Sequence, residues 1–539
     1  MEFCAAPLWW SCILTKGEAT PFLCDDLRLA VPFGARAERA PERTVFEAFR
    51  EKLMIKPVSI AVASLLVAGL GLSSPVMAET FDEALVSAYQ ANPTLQARRA
   101  LLRAVDEQVP QALSDWRPQV SVQGSTFYQQ MDYEPGRKNL DNRPATLGVV
   151  LQQNIFRGLR TVAQTDQAKA QVQSERALLR SVEQTVLLNA AQAYFNVIRD
   201  QAVLELNINN EQVLRRQLDA ANDRFRVGEI TRTDVAQADS RLAGAIADRI
   251  QAEGTLESSR ANYTQVVGHP PENIQPPPPY ARLPQTLEDG LNTALSANPD
   301  VIAALYVWRQ AQAAIRDQRG KLLPTLNAEV SYSFSHNPSA TTEYDTKTFQ
   351  AGLNLTVPLY QGGAVYSQIR DAKHRAGQRR LQVDEQREAV IESLTSAWET
   401  LTSARARVSS YKSQIEAAGI ALDGVQREAQ VGSRTVLDVL DAEQELLTSR
   451  VNLVRAERDS AISTYEVLAA LGAMTAEDLG LNTPLYDATA HYNDVKGQWI
   501  GGNDLANQDE DLIVKTAPPI DGDSMTRPVR ALDSATGTR

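Results

Sequence analysis

The sequence predicts an α+β fold made of two copies of one unit, each with a β-hairpin and a long helical hairpin. Landmark residues recur after just over two hundred positions. In each copy, apolar and polar residues alternate over two short stretches, which is typical of strands. No proline then occurs between Ala145 and His269 or between Leu359 and Thr483, so long helices can form there.

The duplication is visible in matched motifs. The motif Asn92-Pro93 recurs as Asn298-Pro299, 206 residues later, and farther along the chain the offset between matched residues becomes 204. The motifs matched at the shorter offset are Ile155-Phe156-Arg157-Gly158 with Leu359-Tyr360-Gln361-Gly362, and Val227-Gly228 with Val431-Gly432. Because separated landmarks keep nearly one register, the fold is interpreted repeat by repeat.

The first 78 residues are expected to precede the mature protein. Residues 54–78 have the positive start, apolar core and small-residue site of a secretory signal, with cleavage between Ala78 and Glu79. A signal normally begins a chain, so residues 1–53 are interpreted as a non-native extension, with a genuine longer leader as the alternative. All three cysteines lie in that extension, so the predicted mature chain lacks disulfides, catalytic thiolates and a lipid-anchoring cysteine.

Composition and motifs exclude several classes of function. The formal net charge is -12 and no basic patch is present, which argues against nucleic-acid binding. The four histidines are scattered without metal-ligand spacing, and no phosphate-binding glycine loop or nucleophile elbow occurs. We therefore expect no cofactor, no metal and no enzymatic activity.

Repeat 1 is assigned to residues 79–284. After a helical segment, we expect a β-hairpin at about 119–156 around a polar turn at 132–143, and a helical hairpin at about 159–268. The 69 residues from Leu159 to Val227 contain neither glycine nor proline and would extend about 100 Å as a helix. The proline-rich segment 269–284 is expected to be a stiff connector.

Repeat 2 is assigned to residues 285–484, with a β-hairpin at about 325–360 and a helical hairpin at about 364–472. Apolar residues recur every seven positions on its first long helix, which predicts a helix-packing seam through Leu394, Leu401, Val408 and Ile415. Residues 485–539 are polar and aperiodic, and we expect this tail to be poorly ordered.

Each long helix is predicted to stop at a tip glycine, Gly228 or Gly432. Thr231 and Asp234 are three residues apart, which is the spacing of a capping box, and Thr435 and Asp438 have the same spacing. These boxes predict where the returning helices begin. Each repeat therefore has a β-hairpin at one end and a helical tip at the other.

Secretion and alternating strands together point to an outer-membrane barrel, because only closed sheets satisfy every backbone group in lipid. Four strands cannot close, so chains must associate. A dimer would supply eight strands and a trimer twelve, and an open channel favours the trimer. A soluble β-sandwich is the alternative, but the long helical hairpins favour a hollow helical barrel continuous with the strands.

Three groups of residues resemble the TolC-type outer membrane channels: the two Asn-Pro motifs, the two strand-ending motifs and residues 431–442. The resemblance implies a homotrimer with a twelve-stranded outer-membrane barrel and a long periplasmic α-helical barrel. It also implies docking through a periplasmic adaptor (membrane fusion protein) onto an inner-membrane ABC or proton-driven transporter. Such channels export proteins in type I secretion, or small molecules in efflux.

The resemblance assigns roles to five tip residues. Asp438 and Asp441 match carboxylates that form cation-binding rings at the periplasmic constriction, although Asp438 is equally a capping residue. Arg434, Thr233 and Asp234 match the latch that holds the channel shut, the alternatives being a solvated arginine and a capping aspartate. The family's best-known member has a tyrosine where this chain has Ala429, so one latch bond is missing.

Two alternatives stay open from the sequence. A periplasmic adaptor or structural coiled-coil protein is the rival class, but two hairpins with amphipathic strands and no membrane anchor favour the channel. The missing lipid-anchor cysteine favours protein secretion over drug efflux. Tyr128, Phe156, Phe334 and Tyr360 lie near strand ends, where they would form membrane-interface girdles or simply pack within the sheet.

Overall fold

The structure is a computed structural model that describes residues 79–131, 140–278, 280, 282–339 and 342–501. The predicted extension 1–53 and signal peptide 54–78, with Ala78, lie outside the described residues. The helices are α1 (Phe81–Ala91), α2 (Pro93–Asp106), α3 (Gln108–Leu113), a 3-10 turn (Ser114–Trp116), α4 (Arg160–Arg226), α5 (Arg232–Val267), α6 (Leu287–Ala297), α7 (Pro299–Gly320), α8 (Ala364–Gln430), α9 (Val436–Leu471), α10 (Ala476–Leu479) and α11 (Ala490–Val495). Most of the described chain is helical.

The strands form one four-stranded sheet and one small ribbon. They are β1 (Gln119–Thr126), β2 (Gln129–Met131), β3 (Leu140–Asn142), β4 (Ala145–Arg157), β5 (Thr325–His336) and β6 (Asp345–Thr356). The sheet is antiparallel, in the order β1-β4-β5-β6, and β2 pairs with β3. The main sheet together with the helices fits the predicted α+β fold.

Two details of the predicted hairpins were wrong. Part of the expected polar turn at 132–143 is strand, because residues 140–142 pair with β2 and extend the first hairpin. The last strand stops at Thr356 and not near 360, close to Pro358, whose nitrogen cannot donate to a ladder.

The four-stranded sheet has one apolar and one polar face. Cross-strand rows on the apolar face are Val120, Leu151, Val330 and Ala351, then Val122, Val149, Tyr332 and Phe349. Rows on the polar face are Ser121, Val150, Ser331 and Gln350, then Gln123, Gly148, Ser333 and Thr348. Because neighbouring side chains point to opposite faces, the alternation in sequence becomes two chemically distinct surfaces.

The Asn-Pro motif has the same structural role in both repeats. The side-chain oxygens of Asn92 and Asn298 cap α2 and α7 by accepting bonds from the backbone N–H two residues later, at 3.0 and 2.9 Å. Proline follows at the first helical position, where no N–H is needed. The same two amides donate to the carbonyls of Val266 and Ala470, near the ends of α5 and α9. The motif therefore ties each repeat's short helices to its returning helix.

The first long helix of each repeat has 67 residues and the returning helix 36. A 67-residue helix extends about 100 Å. Gly158 precedes the first of them with φ +63°, and a Cβ there would lie 2.2 Å from the carbonyl oxygen of Gly320, so only glycine fits. Within the predicted seam of α8, Leu394 and Leu401 are buried, whereas Val408 and Ile415 are only half-buried.

The largest buried cluster lies where α1, α4, α5 and α9 meet. Tyr194 of α4 is at its centre, fully buried, in edge contact with Phe81 at 5.2 Å between ring centroids. Its hydroxyl donates to the carbonyl of Gln275 at 2.7 Å, which fixes the proline-rich segment against the helices. A smaller cluster, Leu214, Ala221, Ala238, Ala245 and Leu440, joins the two helical hairpins nearer their tips.

The expectation of a poorly ordered tail was wrong for residues 485–501. The Arg99 guanidinium lies between the rings of Tyr89 and Tyr486, at 4.6 and 5.0 Å from their centroids, and Arg176 stacks over Tyr492 of α11. The prediction failed because such cation–π contacts need no apolar periodicity in the sequence. Residues 502–539 lie outside the described residues.

Candidate functional site at the helical tips

Both helical hairpins turn at a glycine in a left-handed conformation. Gly228 has φ +82° and Gly432 has φ +77°, and no atom would contact a Cβ added at either position. The backbone angle alone therefore explains why glycine is needed. The following residues, Glu229 and Ser433, donate their N–H groups back to carbonyls of the preceding long helix.

Two of the predicted pore and latch residues cap the returning helices. Asp438 Oδ2 accepts from the backbone N–H of Thr435 at 2.9 Å and from its hydroxyl at 2.8 Å. Asp234 makes the same two bonds to Thr231. The bond from the Thr435 backbone is the main reason why the pKa of Asp438 lies below its usual range. Both capping boxes predicted from the sequence are confirmed.

Asp441 forms an ion pair that the sequence did not reveal. Its Oδ1 accepts from the guanidinium of Arg241 at 2.6 Å, which links α9 of the second hairpin to α5 of the first. Both side chains are about half exposed. No motif marks Arg241, because the pair depends on how the two hairpins lie beside each other.

Arg434 is bonded within its own tip. Its Nε donates to Glu428 Oε2 at 2.9 Å, and this contact raises the pKa of the arginine. Thr233 lies in the first turn of α5. Among the hydrogen bonds and ion pairs of the described residues, none joins Arg434 to Thr233 or Asp234. The single chain thus does not bring the three predicted latch residues together.

Glu443 is a buried carboxyl that sequence reasoning missed. It is 7% exposed and accepts from Gln217 of α4 at 3.3 Å and from Gln426 of α8 at 3.5 Å. Its Oε2 atom is buried without a partner, and burial raises its pKa. One feature of the sequence could have indicated this burial: Glu443 lies between Leu440 and Leu446, on the apolar side of α9.

A metal centre and a membrane-spanning helix are two further features to consider in the described part of the chain. No group of three or more histidine, cysteine or acidic residues there is placed to hold a metal ion. No helix among the same residues is long and apolar enough to cross a membrane.

Comparison with known proteins identifies the family. A family model described as "Outer membrane efflux protein" matches residues 84–269 and 290–473, that is, both repeats. The chain is 36% identical over 464 residues to the outer membrane efflux protein BepC of Brucella suis, covering 85% of this chain and 98% of that protein. It is 28% identical over 434 residues to TolC of Escherichia coli, covering 77% and 87%.

A solved structure shows the same fold. The Campylobacter jejuni CmeC outer membrane channel superimposes with a TM-score of 0.66 over 77% of this chain and 89% of that one, at 15% identity. The chain belongs to the outer membrane efflux protein family, the TolC-type channels of the outer membrane. Its relatives are channel and secretion proteins and not enzymes; some are named for protease secretion and one for pyoverdine export.

Proposed function

We propose that three copies of this chain form an outer-membrane exit duct that works with a periplasmic adaptor and an inner-membrane transporter. The observation that carries the proposal is the two-faced sheet with its open edges. Strands β1 and β6 each pair on one side only within the described chain, and unpaired edges are costly in lipid. Joining β6 of one chain to β1 of the next would close twelve strands, with the apolar face toward lipid and the polar face toward the lumen.

Fractionation and gel analysis test this assembly. We expect the protein in the outer membrane, migrating as a trimer without heating and as a monomer after boiling. Recovery as soluble periplasmic monomer would contradict the duct and favour the rival class, a periplasmic adaptor or structural coiled-coil protein. Disulfide capture between cysteines placed on β1 and β6 provides a second check, because closure predicts links between chains only.

Protein export by type I secretion is the cargo assignment we favour, because the predicted mature chain has no lipid-anchoring cysteine and relatives are named for protease secretion. Small-molecule efflux is the second candidate, favoured by the name of the 36% identical relative. A deletion strain distinguishes them: loss of particular secreted proteins supports the first, and increased drug susceptibility with an unchanged set of secreted proteins supports the second.

The duct would narrow at the tips, where threefold symmetry turns Asp438 and Asp441 into two carboxylate rings. They are three residues apart and therefore on one side of α9. We expect the double variant Asp438→Asn, Asp441→Asn to bind multivalent cations more weakly, because each ring loses three negative charges.

The test is to record the current in planar bilayers while a trivalent cation is added from the periplasmic side. The double variant is expected to need a higher concentration of the cation than the parent before the current falls by half. Asp371→Asn is the matched control, since Asp371 is an exposed aspartate near the other end of α8. Equal block in the double variant and the parent would remove both aspartates from the pore.

The latch would bind Arg434 of one chain to Thr233 and Asp234 of another. Arg434→Ala is expected to raise the ion conductance measured in planar bilayers, because charge-assisted bonds that favour the closed state are lost. Arg434 is exposed, so each of the three latch bonds in a trimer is weak, and their loss is expected to make the open state more frequent.

Two further variants separate this latch from the bond within the tip. Arg427→Ala removes another exposed ion pair of α8 and is expected to leave conductance unchanged. Glu428→Gln removes only the partner that Arg434 has in its own chain. If Glu428→Gln raised conductance as much as Arg434→Ala, the contact within the tip would explain the effect and the latch between chains would be refuted.

A further inference from the structure

The C-terminal segment, residues 485–501, follows the short helices of repeat 1 toward the sheet. Its first contact is near α1, where the backbone N–H of Tyr486 donates to the hydroxyl of Tyr89 at 3.0 Å. Farther along, His491 Nδ1 lies 3.3 Å from Asp106 at the end of α2. The segment then reaches Arg117, two residues before β1 begins. It therefore spans the distance from the central core to the base of the sheet.

Arg117 holds the end of this segment in place. Its NH1 donates to the carbonyl of Gln498 at 2.6 Å, and its guanidinium lies 5.0 Å from the ring of Trp499. The preceding turn is itself fixed to the end of β4, since Gln153 donates to the carbonyl of Trp116 and Asp115 pairs with Arg157. Trp499 is thus attached to the sheet base and not to a free loop.

The side chains that the segment brings there are apolar and uncovered. Ile500 is 92% exposed and Trp499 66%, and Trp116, which precedes Arg117 in the sequence, is 49% exposed. The chain leaves β6 at the same end of the sheet through Leu359 and Tyr360, which are also exposed. Tryptophan and tyrosine together with basic residues are enriched where a membrane surface meets water.

The position of Trp499 and Ile500 relative to the sheet indicates which partner covers them. Val120, the first residue of the apolar face of β1, is three residues beyond Arg117, about 10 Å along an extended chain. A sheet that enters lipid at Val120 would therefore put Trp499 and Ile500 at the boundary between headgroups and acyl chains on the periplasmic side. Arg117 and Lys496 add positive charge suited to anionic headgroups.

We propose that Trp499 and Ile500 dock into the periplasmic leaflet of the outer membrane, so that the C-terminal segment anchors the base of the sheet to the phospholipid surface. The partner that covers these two side chains is the headgroup and upper acyl region of the phospholipid layer. This inference rests on the proposed membrane-spanning barrel, and its test must separate the two.

Spin labels provide that test in the full chain, with Cys4, Cys12 and Cys24 replaced by serine. Nitroxides are placed at residue 500, at residue 493 on the exposed side of α11, and at residue 349 on the apolar face of the sheet. The protein is reconstituted into vesicles of phosphatidylethanolamine and phosphatidylglycerol. Collision with lipid-soluble oxygen and with a water-soluble nickel chelate is then measured at each position.

We expect position 500 to favour oxygen, as position 349 does, and position 493 to favour nickel. Nickel preference at 500 with oxygen preference at 349 would overturn the lipid anchor and leave the barrel standing. Nickel preference at both 349 and 500 would overturn the barrel and the anchor together. Shielding of 500 from both reagents, in vesicles and in detergent, would mean that a second copy of the chain covers the patch. Ile500 is almost fully exposed, so labelling it does not disturb folding, and a label at 499 repeats the measurement.

Discussion

Tyr194→Ala is expected to destabilise the protein by about 3–5 kcal/mol, the usual cost of truncating a buried aromatic residue. Tyr194 is fully buried among aromatic rings from three helices. Burial also raises the pKa of its hydroxyl to about 12, so the group stays protonated and donates to the carbonyl of Gln275. The variant therefore loses core packing and the bond that fixes the proline-rich segment.

Urea unfolding of the detergent-solubilised protein, followed by tryptophan fluorescence, measures this loss. Tyr194→Phe keeps the ring and removes only the hydroxyl bonds, so it is expected to cost about 1 kcal/mol. Tyr366→Ala, at an exposed position of α8, is expected to have little effect. Similar unfolding midpoints for Tyr194→Ala and Tyr366→Ala would show that this cluster does not stabilise the fold.

Glu443→Gln is expected to stabilise the tips at neutral pH and to have no effect in acid. Burial raises the pKa of the Glu443 carboxyl, and this outweighs the hydrogen bonds from Gln217 and Gln426 and the charge of Arg216, which lower it. The folded chain therefore holds a proton that the unfolded chain releases above the ordinary glutamate value of 4.5. Stability from this group is complete below 4.5 and is lost as pH rises through the raised folded pKa. Glutamine keeps both acceptor bonds and has no charge to bury.

Hydrogen exchange of the tip amides, compared between variant and parent at equal pH, measures this effect. We expect about fivefold greater protection in Glu443→Gln at neutral pH, equivalent to about 1 kcal/mol, and no difference at about pH 3.5, where the glutamate is protonated in both the folded and the unfolded chain. Glu445→Gln is the matched control, since Glu445 also accepts from a glutamine of α8 but is exposed. An equal response of both variants to pH, or weaker protection in Glu443→Gln, would contradict the buried-carboxyl explanation.

The polar contacts near the tips link the two hairpins of one chain by different kinds of bond. The pair between Arg241 and Asp441 is half exposed and therefore sensitive to salt, whereas the bonds of Glu443 are buried and respond to pH. Asp441, which is proposed for a pore ring, is also paired with Arg241 of the first hairpin within the single chain. Separating the hairpins would free that charge for a cation.

The sequence alone determined the features that depend on neighbouring residues. Alternation with period two predicted the strands and their two faces, and glycine predicted the left-handed turns at Gly228 and Gly432. Threonine and aspartate three residues apart predicted the helix starts at Thr231 and Thr435. Each of these signals acts through local backbone geometry. Because the unit is duplicated, each signal occurs once in each repeat.

Only the tertiary structure decided which distant residues meet. The burial of Glu443, the pairing of Arg241 with Asp441 and the packing of Tyr486 and Tyr492 on arginines join segments that are tens to hundreds of residues apart. Such contacts depend on which helices become neighbours and on the rotation of each helix about its axis, and no local pattern encodes either. The sequence thus determined the repeated unit, and tertiary packing decided which charges are paired, buried or left free at its tips.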